Sequence, residues 1–327
     1  MDMISFGSVF LELVFGHVRE LPGPGEEVFT DEFALSCGGA VTSATAAAAA
    51  GVRAGLCTVL GDDFGSQVVT EHCATAGVEL SPSARVARAA TGITAVLNFD
   101  GDRGFVTHMP PRGEDEQPET DRWREVLRAS RPAWCYLHAG PGVPAFLREA
   151  RRLGCKIVLD ISLGDERDDR GTIIECVALA DIFVPNGEEL LRLTGTAAIG
   201  AAVAAAAAWG TQLVVKRGAA GALVAGTDGS VTEVSAGVSA VTVRDLTGAG
   251  DTFAGAMIAG LLGGAPLADA VVAANAAGSQ AVGHLGAVGE IGGPGMIAGL
   301  APRPVDVGKV AAALAAGCRR RVTEQGR

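Results

Sequence analysis

The sequence predicts an α/β fold with a mainly parallel central sheet that is covered by helices on both faces. Short apolar runs typical of buried strands alternate with longer helical patterns along most of the chain. Such alternation indicates consecutive β-α-β units, in which neighbouring strands run parallel. Of the 327 residues, 48% are hydrophobic, so the chain can bury one large core. Aromatic residues are scarce, at 5%, and 46 residues are glycine, which predicts closely packed helices.

The predicted elements follow one another in a regular order. Strand-like runs occupy residues 3–9, 56–60, 134–137, 156–159, 182–184 and 213–215. Helical periodicity covers residues 40–50, 66–76, 121–129, 144–153 and 187–193. Ligands of such sheets bind beyond the carboxyl ends of the strands, so residues that directly follow a strand are candidates for a site. They are Gly7, Ser8, Asp160, Asn186 and the turn at Gly248.

Two regions interrupt this order and are predicted to be insertions. Residues 11–35 are rich in turn residues, and residues 85–110 contain two strand-like runs, 92–99 and 103–107. Between these runs lies Asp100-Gly101-Asp102, and an Asp-Gly pair is a strong hairpin signal. The predicted core consists of the remaining residues, 1–10, 36–84 and 111–327.

Composition excludes several classes of function. The formal net charge of −11 argues against a nucleic-acid partner, because phosphate binding needs a basic surface. No apolar segment is long enough to predict a membrane span, and the first residues lack a basic leader with an apolar core. The seven cysteines are scattered and form no CxxC pair, and the five histidines are dispersed. We therefore expect a cytoplasmic protein with reduced thiols and no zinc site.

The segment from Asp245 to Phe253, which reads DLTGAGDTF, carries the strongest functional signal. The small residues Gly248, Ala249 and Gly250 precede Asp251, and an apolar helical pattern follows. A helix that begins there directs free backbone N–H groups and the positive end of its dipole at an anion. The same dipole favours the ionised form of the carboxylate in the first turn.

An anion cradle beside an ionised carboxylate can hold a phosphate and remove a proton from a hydroxyl, which predicts phosphoryl transfer. A strand-like run at residues 241–243 precedes the turn, so the predicted order is strand, glycine turn and helix. The segment lacks the Lys-Ser/Thr ending of a Walker A loop and is not a GxGxxG turn. Read alone, Asp251 could also be only a helix cap.

The segment resembles the C-terminal signature of the ribokinase-like (PfkB) carbohydrate kinases. Further resemblances follow in the order of that family over nearly the whole chain. They are Gly7-Ser8, Pro24-Gly25-Glu26, Gly38-Gly39 with the helix after it, Gly61-Asp-Asp-Phe-Gly65, Asn186-Gly-Glu-Glu189, Lys216-Arg-Gly218-Ala-Ala-Gly221 and Asn275. The resemblance implies a ribokinase-like three-layer α/β/α sandwich with a small β-sheet lid formed by residues 11–35 and 85–110. It also implies ATP as phosphoryl donor, a small sugar or related polyol as acceptor, and a homodimer formed through the lid.

The resemblance assigns roles to the signature and to the element at Asn186. Asp251 is the base, and the turn of Gly248, Ala249 and Gly250 is the anion hole. Asn186 and Glu189 stand at i and i+3, on one face of a helix, where an amide and a carboxylate suit a hydrated Mg²⁺. From the residues alone, an N-cap is the alternative interpretation of Asn186.

The nucleotide site is implied by the loop that begins at Lys216. Lys216 can meet a phosphate as a point charge, and Gly218 and Gly221 permit a tight turn near the ribose. Asn275 matches a position that borders adenine in the family. An ordinary hairpin turn and a satisfied core amide are the alternatives for the loop and for Asn275.

The acceptor pocket departs from the family pattern. Glu12 stands where the family usually has Asp, and Ala40 and Ser43 replace the usual Lys and Asn. The loss of that lysine weakens the case for a phosphorylated sugar. The candidates for acceptor contacts are Glu12, Phe10, Gly38, Gly39, Ser43, Arg103, His138 and Asp251.

The family also implies a monovalent cation, K⁺, between the signature and a later loop. The matching positions are Asp245, Thr247, Ala281, His284, Gly286 and Glu290. Backbone carbonyls would supply most of its ligands.

The resulting hypothesis is an ATP-dependent kinase that phosphorylates a hydroxyl of a small sugar or sugar acid. A nucleoside kinase of the same fold is one alternative, with Phe10 or Phe15 stacking on a base. A sugar-binding sensor or scaffold that has lost catalysis is another.

Overall fold

Eight strands form the central sheet of the protein, and six of them run parallel. The structure is a computed structural model that describes residues 1–99, 101–110, 119–162, 169–237, 241–289 and 291. The strands are β1 (Met3–Phe6), β2 (Val9–Gly16), β3 (Glu32–Gly39), β4 (Ala54–Cys57), β5 (Val59–Leu60), β6 (Ala84–Arg85), β7 (Gly92–Phe99), β8 (Asp102–His108), β9 (Trp134–His138), β10 (Lys156–Asp160), β11 (Ile182–Phe183), β12 (Gln212–Lys216), β13 (Ala222–Ala225) and β14 (Val231–Val234). The order in the central sheet is β14-β13-β12-β11-β10-β9-β1-β4, with β13 and β14 antiparallel at one edge.

Helices cover both faces of this sheet, which produces three layers. They are α1 (Ala40–Ala49), α2 (Phe64–Ala76), α3 (Glu119–Ser130), α4 (Val143–Arg152), α5 (Arg170–Leu179), α6 (Gly187–Thr194), α7 (Ile199–Ala206), α8 (Ala249–Leu262) and α9 (Leu267–Ala281). One face is covered by α1, α8 and α9, with Ala47, Met257 and Val271 in its core. The other is covered by α3 to α7, with Leu127 and Phe146 in its core. The predicted three-layer α/β architecture is confirmed.

The parallel strands are apolar on both sides because both sides are buried. Side chains alternate between the faces, so Met3 packs toward α8 and Ile4 packs toward the opposite helices. Tyr136, Val158 and Val214 also belong to the core on the α8 side. By the same alternation, the residues two positions further along these strands emerge at the carboxyl edge on the α8 side. They are His138, Asp160 and Lys216.

A second sheet of four strands, in the order β3-β2-β7-β8, follows directly from the end of β1. The hairpin of β7 and β8 confirms the predicted strands at 92–99 and 103–107, whereas Asp100 in its turn lies outside the described residues. The second sheet extends beyond the predicted insertion of residues 11–35, because β2 already begins at Val9 and β3 ends only at Gly39. Glu12 lies opposite Ser36, and this face of the sheet contacts the loop after α9.

The structure differs from the prediction beside the signature and at one edge of the sheet. Residues 241–243 were predicted as a strand but form none, because the backbone N–H groups of Arg244 and Asp245 donate to the Val282 carbonyl at 2.8 and 3.3 Å. The segment thus attaches to the end of α9. The hairpin of β13 and β14 was not predicted, since three of the four residues of β14 are exposed and leave no apolar run.

In the described ranges, no individual helix has the length and apolar character needed to cross a membrane. One bent pair, Gly187–Thr194 with Ile199–Trp209, reaches that threshold together, by length and composition only. Six of the seven cysteines fall within the described residues, and those six are buried free thiols.

Candidate active site

Helix α8 begins at a turn that requires glycine. Gly248 has a φ of 73°, in the left-handed region, and no side chain caps the helix. A Cβ on Gly248 would lie 2.6 Å from the Cα of Ala287, so the turn packs directly against that loop. The N–H of Ala249 makes only a long contact, 3.4 Å, with the Leu246 carbonyl. The start of α8 therefore presents backbone donors and a dipole to an anion.

Asp251 lies in the first turn of α8, where its carboxylate meets two side chains of β9. The Tyr136 hydroxyl donates to Oδ1 of Asp251 at 2.7 Å, and Nε2 of His138 lies 3.5 Å from the same oxygen. Tyr136 is buried, whereas the Asp251 side chain keeps 22% of its surface exposed. The carboxylate is thus held from within the protein and remains accessible to a ligand.

A second carboxylate connects this pair to a lysine. Oδ2 of Asp160 lies 3.2 Å from the Tyr136 hydroxyl and accepts a hydrogen bond from Nζ of Lys216 at 2.5 Å. The same ammonium reaches the start of α8, because a Cβ on Gly250 would lie 3.1 Å from Nζ. Lys216 therefore places a positive charge beside the backbone donors of the α8 turn.

These charges keep Asp251 ionised. Burial raises the pKa of Asp251, but hydrogen bonds from His138 and Tyr136 and the charge of Lys216 outweigh burial, so the net pKa is lowered. Burial lowers the pKa of His138, but Asp251 and Asp160 raise it more. An ionised, partly exposed carboxylate beside an anion site can take a proton from a bound hydroxyl.

Asn186 and Glu189 form a capping box at the start of α6. Oδ1 of Asn186 accepts from the Glu189 N–H at 2.8 Å, and Oε2 of Glu189 accepts from the Asn186 N–H at 2.7 Å. The second oxygen of Glu189 is not used in this cap. Burial, and next the charge of Asp160, raise the pKa of Glu189, whereas the charge of Lys216 lowers it. A hydrated cation held through water fits this donor set.

The loop after β12 forms a tight turn. Gly218 and Gly221 both have positive φ, 56° and 81°, and the Arg217 N–H donates to the Gly221 carbonyl at 2.8 Å. A side chain on Gly221 would overlap the Val234 carbonyl oxygen. The turn thus lies against the end of β14.

Asn275 is buried in α9 and is already satisfied. Its amide donates to the carbonyls of Val234 and Ser235, at 3.3 and 3.2 Å. It therefore fixes the strand end beside the loop after β12, as the alternative of a satisfied core amide predicts. Both amide protons are used within the protein.

Glu12 lies inside the molecule, between the second sheet and the loop after α9. Its Oε2 accepts from the Ala287 N–H at 3.1 Å, and a side chain on Gly38 would overlap Oε1. Burial raises the pKa of Glu12 to about 7, and the charges of Asp245 and Asp251 act in the same direction. Gly38 is thus needed to make room for this carboxyl group.

We expect Glu12→Gln to make the protein progressively more stable than the wild type as the pH rises from 5 to 8. The folded-state pKa of about 7 exceeds the ordinary value of 4.5, so Glu12 favours folding below pH 4.5 and loses that contribution as the pH rises through 7. At about 1.4 kcal/mol per pKa unit, the difference amounts to roughly 3 kcal/mol. Urea unfolding at both pH values measures it. Glu71→Gln, on the exposed face of α2, is the control, and equal pH dependence in all three proteins would contradict the prediction.

Phe10 and Phe15 lie on opposite faces of the second sheet. The Phe10 ring lies between Gly39 and Gly92, where added Cβ atoms would approach it to 3.0 and 2.8 Å. Phe10 shares the face of Glu12, since the two residues are two positions apart. Phe15 packs against Phe33 in a tilted arrangement, with ring centroids 5.4 Å apart, on the outer face. Phe10 alone of the two can face a ligand beside Glu12.

Ser43 is bonded within the core, and Arg103 is separated from Glu12 along the second sheet. Ser43 is fully buried, and its hydroxyl bonds to Ser5 at 2.8 Å and to the Ala40 carbonyl at 3.2 Å, because α1 packs against β1 and α8 here. Ser43 is therefore not an acceptor contact in this structure. Arg103 shares the face of Glu12, but its partner Asn98 stands four residues, roughly 13 Å, along β7 from the partner of Glu12.

The residues of the proposed K⁺ site surround one loop. Asp245 accepts from the Thr247 and Gly286 N–H groups, both at 2.8 Å, and the buried Thr247 hydroxyl has no partner among the described residues. Ala281 is buried at the end of α9, and Glu290 lies outside the described residues. An unpartnered hydroxyl beside a buried carboxylate fits a cation. Within the part of the chain that the structure describes, no group of three His, Cys, Asp or Glu is arranged to hold a metal directly.

One residue of the site was not identified from the sequence. Asp160 was predicted as a site candidate because it follows a strand, but no role was assigned to it, and Tyr136 was not singled out. The available signal was the alternation of β9, because Tyr136 and His138 stand two residues apart and must share a face.

Residues 3–291 match the model of a family described as pfkB family carbohydrate kinase. The chain is also similar to a cytidine kinase of Thermococcus kodakarensis, with 30% identity over 285 residues, which cover 83% of this chain and 92% of that protein. The family match spans the whole site, from Glu12 to the α8 turn.

Two solved structures have the same fold. A ribokinase of Arabidopsis thaliana complexed with ribose and ATP has a TM-score of 0.74 at 23% identity, covering 96% of this chain and 98% of that chain. A fructokinase double mutant of Vibrio cholerae with fructose, ADP and potassium ion bound has a TM-score of 0.69 at 23% identity, covering 87% and 93%. The chain belongs to the pfkB family of carbohydrate kinases, whose members are phosphotransferases.

Proposed function

We propose that the protein is an ATP-dependent kinase that transfers the γ-phosphoryl group to a hydroxyl of a small sugar or sugar acid. The observation that carries this proposal is the position of Asp251, an ionised and accessible carboxylate in the first turn of α8, with Lys216 beside the same turn. Solved relatives with a sugar and ATP or ADP bound support the choice of ligands.

Each residue of the site has a separate role in the proposed phosphoryl transfer. Asp251 accepts the proton of the acceptor hydroxyl, whose oxygen then bonds to the γ-phosphorus while the bond to the ADP oxygen breaks. The N–H groups of Ala249 and Gly250 and the ammonium of Lys216 stabilise the charge on the transferring group. The loop of Gly218 and Gly221 holds the nucleotide. The second sheet closes over the acceptor as a lid and excludes water, a competing acceptor.

Two cations complete the proposed site. Glu189 and Asn186 would hold a hydrated Mg²⁺, and this cation would neutralise phosphate charge. Asp245, Thr247 and Gly286 border K⁺, as supported by the unpartnered Thr247 hydroxyl and by the potassium ion of the fructokinase structure.

The test is ADP release with ATP, Mg²⁺ and a panel of hexoses, pentoses, sugar acids and nucleosides. Turnover of a sugar or sugar acid above all nucleosides supports the proposal. ATP binding by calorimetry without ADP release on any acceptor would instead favour the sensor or scaffold.

A nucleoside kinase is the second candidate. It is favoured by the similarity to the cytidine kinase and by Phe10, which lies between Gly39 and Gly92 on the face of Glu12. A ring in this position can stack on a base. Preferred turnover of a nucleoside in the same panel would establish this candidate in place of the first.

The lid also joins two copies of the chain in this proposal. Phe33, Ile93 and Val106 lie on the face of the second sheet opposite Glu12 and are 53%, 41% and 66% exposed. A group of exposed apolar side chains on a sheet face is typical of a protein interface. A second copy that presents the same face would cover both through a two-fold axis.

We expect Val106→Glu to convert a dimer into a monomer, because two carboxylates would be buried in the interface. Light scattering after gel filtration measures the mass. Val231→Glu changes an exposed valine on the edge strand β14 of the other sheet and is the matched control. A wild-type protein that is monomeric at micromolar concentration would contradict the proposed dimer.

A further inference from the structure

The single tyrosine of the chain lies between two carboxylates. Tyr136 is buried, and its hydroxyl is 2.7 Å from Oδ1 of Asp251 and 3.2 Å from Oδ2 of Asp160. A phenol has one proton to donate, so it cannot satisfy both carboxylates equally. Nε2 of His138 also lies 3.2 Å from the hydroxyl. The distance to Asp251 is the shortest of the three, so the geometry favours Asp251 as the acceptor of this proton.

The contact of Lys216 with Asp160 explains why the Tyr136 hydroxyl donates to Asp251. Its ammonium donates to Oδ2 of Asp160 at 2.5 Å, the same oxygen that faces Tyr136. Because this oxygen already has a charged donor, Asp160 competes weakly for the phenolic proton. The Tyr136 hydroxyl therefore donates its hydrogen bond to Asp251, at the start of α8.

We propose that Tyr136 is a positioning residue for Asp251, and that the Lys216–Asp160 pair directs its hydroxyl toward that carboxylate. The inference rests on the proposed role of Asp251 as base. Tyr136 keeps its proton throughout, and its hydrogen bond holds Oδ1 so that Asp251 can face an acceptor hydroxyl. Burial, and next the charge of Asp251, raise the pKa of Tyr136 well above its ordinary value, which agrees with a permanent donor.

Other charged groups also face Asp251. His138 on β9 and Lys216 on β12 lower its pKa, whereas Glu12 on β2 lies close enough for the two carboxyl groups to repel each other. Removal of the Tyr136 hydroxyl keeps these charged groups, and His138 loses only its 3.2 Å contact with that hydroxyl. It therefore removes one of the contacts that lower the pKa of Asp251, and the acidic limb of the activity profile must move to higher pH.

The first experiment is Tyr136→Phe, which deletes only the hydroxyl. We expect kcat to fall about tenfold, the KM for ATP to stay unchanged and the acidic limb to shift upward. Thr211→Val is the matched control, because it removes a buried hydroxyl that donates to the Val177 carbonyl at the other end of the sheet. An unshifted acidic limb in Tyr136→Phe would overturn the proposal.

The second experiment needs no turnover. Tyrosine labelled with ¹³C at Cζ gives one NMR signal per chain, since there is one tyrosine. We expect this signal to move in Asp251→Asn and in Lys216→Met, which frees Asp160 to compete for the proton. Asp269→Asn, at the start of α9, should leave it in place. A signal that stays fixed in Asp251→Asn refutes the positioning role even if the protein proves to be a kinase. A signal that moves while no acceptor is turned over supports the contact and leaves only the proposed function in doubt.

Discussion

Asp251→Asn is expected to lower kcat by about a hundred- to ten-thousandfold, the range that general bases contribute. The amide is isosteric and can still accept from Tyr136, so the first turn of α8 should keep its shape. It cannot take a proton from the acceptor hydroxyl. ATP affinity should stay close to that of the wild type, because Lys216 and the loop at Gly218 are untouched. Steady-state kinetics and calorimetry with a non-hydrolysable ATP analogue measure the two quantities.

Asp269→Asn provides a control with the same helix position. Asp269 is the third residue of α9, as Asp251 is the third residue of α8, but it is exposed. Both changes remove one negative charge from the first turn of a helix. Only the change in the cleft should affect turnover. Turnover by Asp251→Asn within a few-fold of the wild type would remove Asp251 from its role.

The sequence predicted the six parallel strands of the central sheet because each contains a short apolar run. It predicted the α8 turn because small residues before a carboxylate are visible in one short segment. These features are local and need no knowledge of how the elements pack.

The parts of the site that the sequence missed depend on packing. A run that is buried on both faces does not reveal which side α8 covers, so Tyr136 could not be assigned to Asp251 in advance. The burial of Ser43 could not be predicted for the same reason, since the rotation of α1 is set by its crossing with β1 and α8. The sequence also does not reveal that the segment at residues 241–243, which was expected to be a strand, attaches to the end of α9 instead.

The capping box at Asn186 and Glu189 illustrates a different limit. The spacing of an amide and a carboxylate is the same for a helix cap and for a hydrated cation site. The structure contains the cap, and it leaves one oxygen of Glu189 beside Asp160 and Lys216. The two interpretations are therefore compatible, and the sequence could not rank them.

We expect turnover to depend on the course of the backbone at Gly248 as well as on the proposed base, Asp251. In Gly248→Ala, the new Cβ would lie 2.6 Å from Cα of Ala287, so the turn or that loop must move. Movement of the turn displaces the backbone donors of α8, and loss of one such donor costs about a hundred- to a thousandfold in kcat. The left-handed φ adds about 1–2 kcal/mol of strain. Steady-state kinetics and urea unfolding measure these effects.

Gly77→Ala separates the strain from the clash. Gly77 ends α2 with the same φ as Gly248, 73°, but a Cβ there would meet no atom within 4 Å. This variant should lose about 1–2 kcal/mol of stability from the left-handed backbone alone and keep full activity. If Gly248→Ala behaves like Gly77→Ala, the packing of the α8 turn against Ala287 does not position the anion site. A loss of kcat confined to Gly248→Ala means that the geometry of this turn supports catalysis.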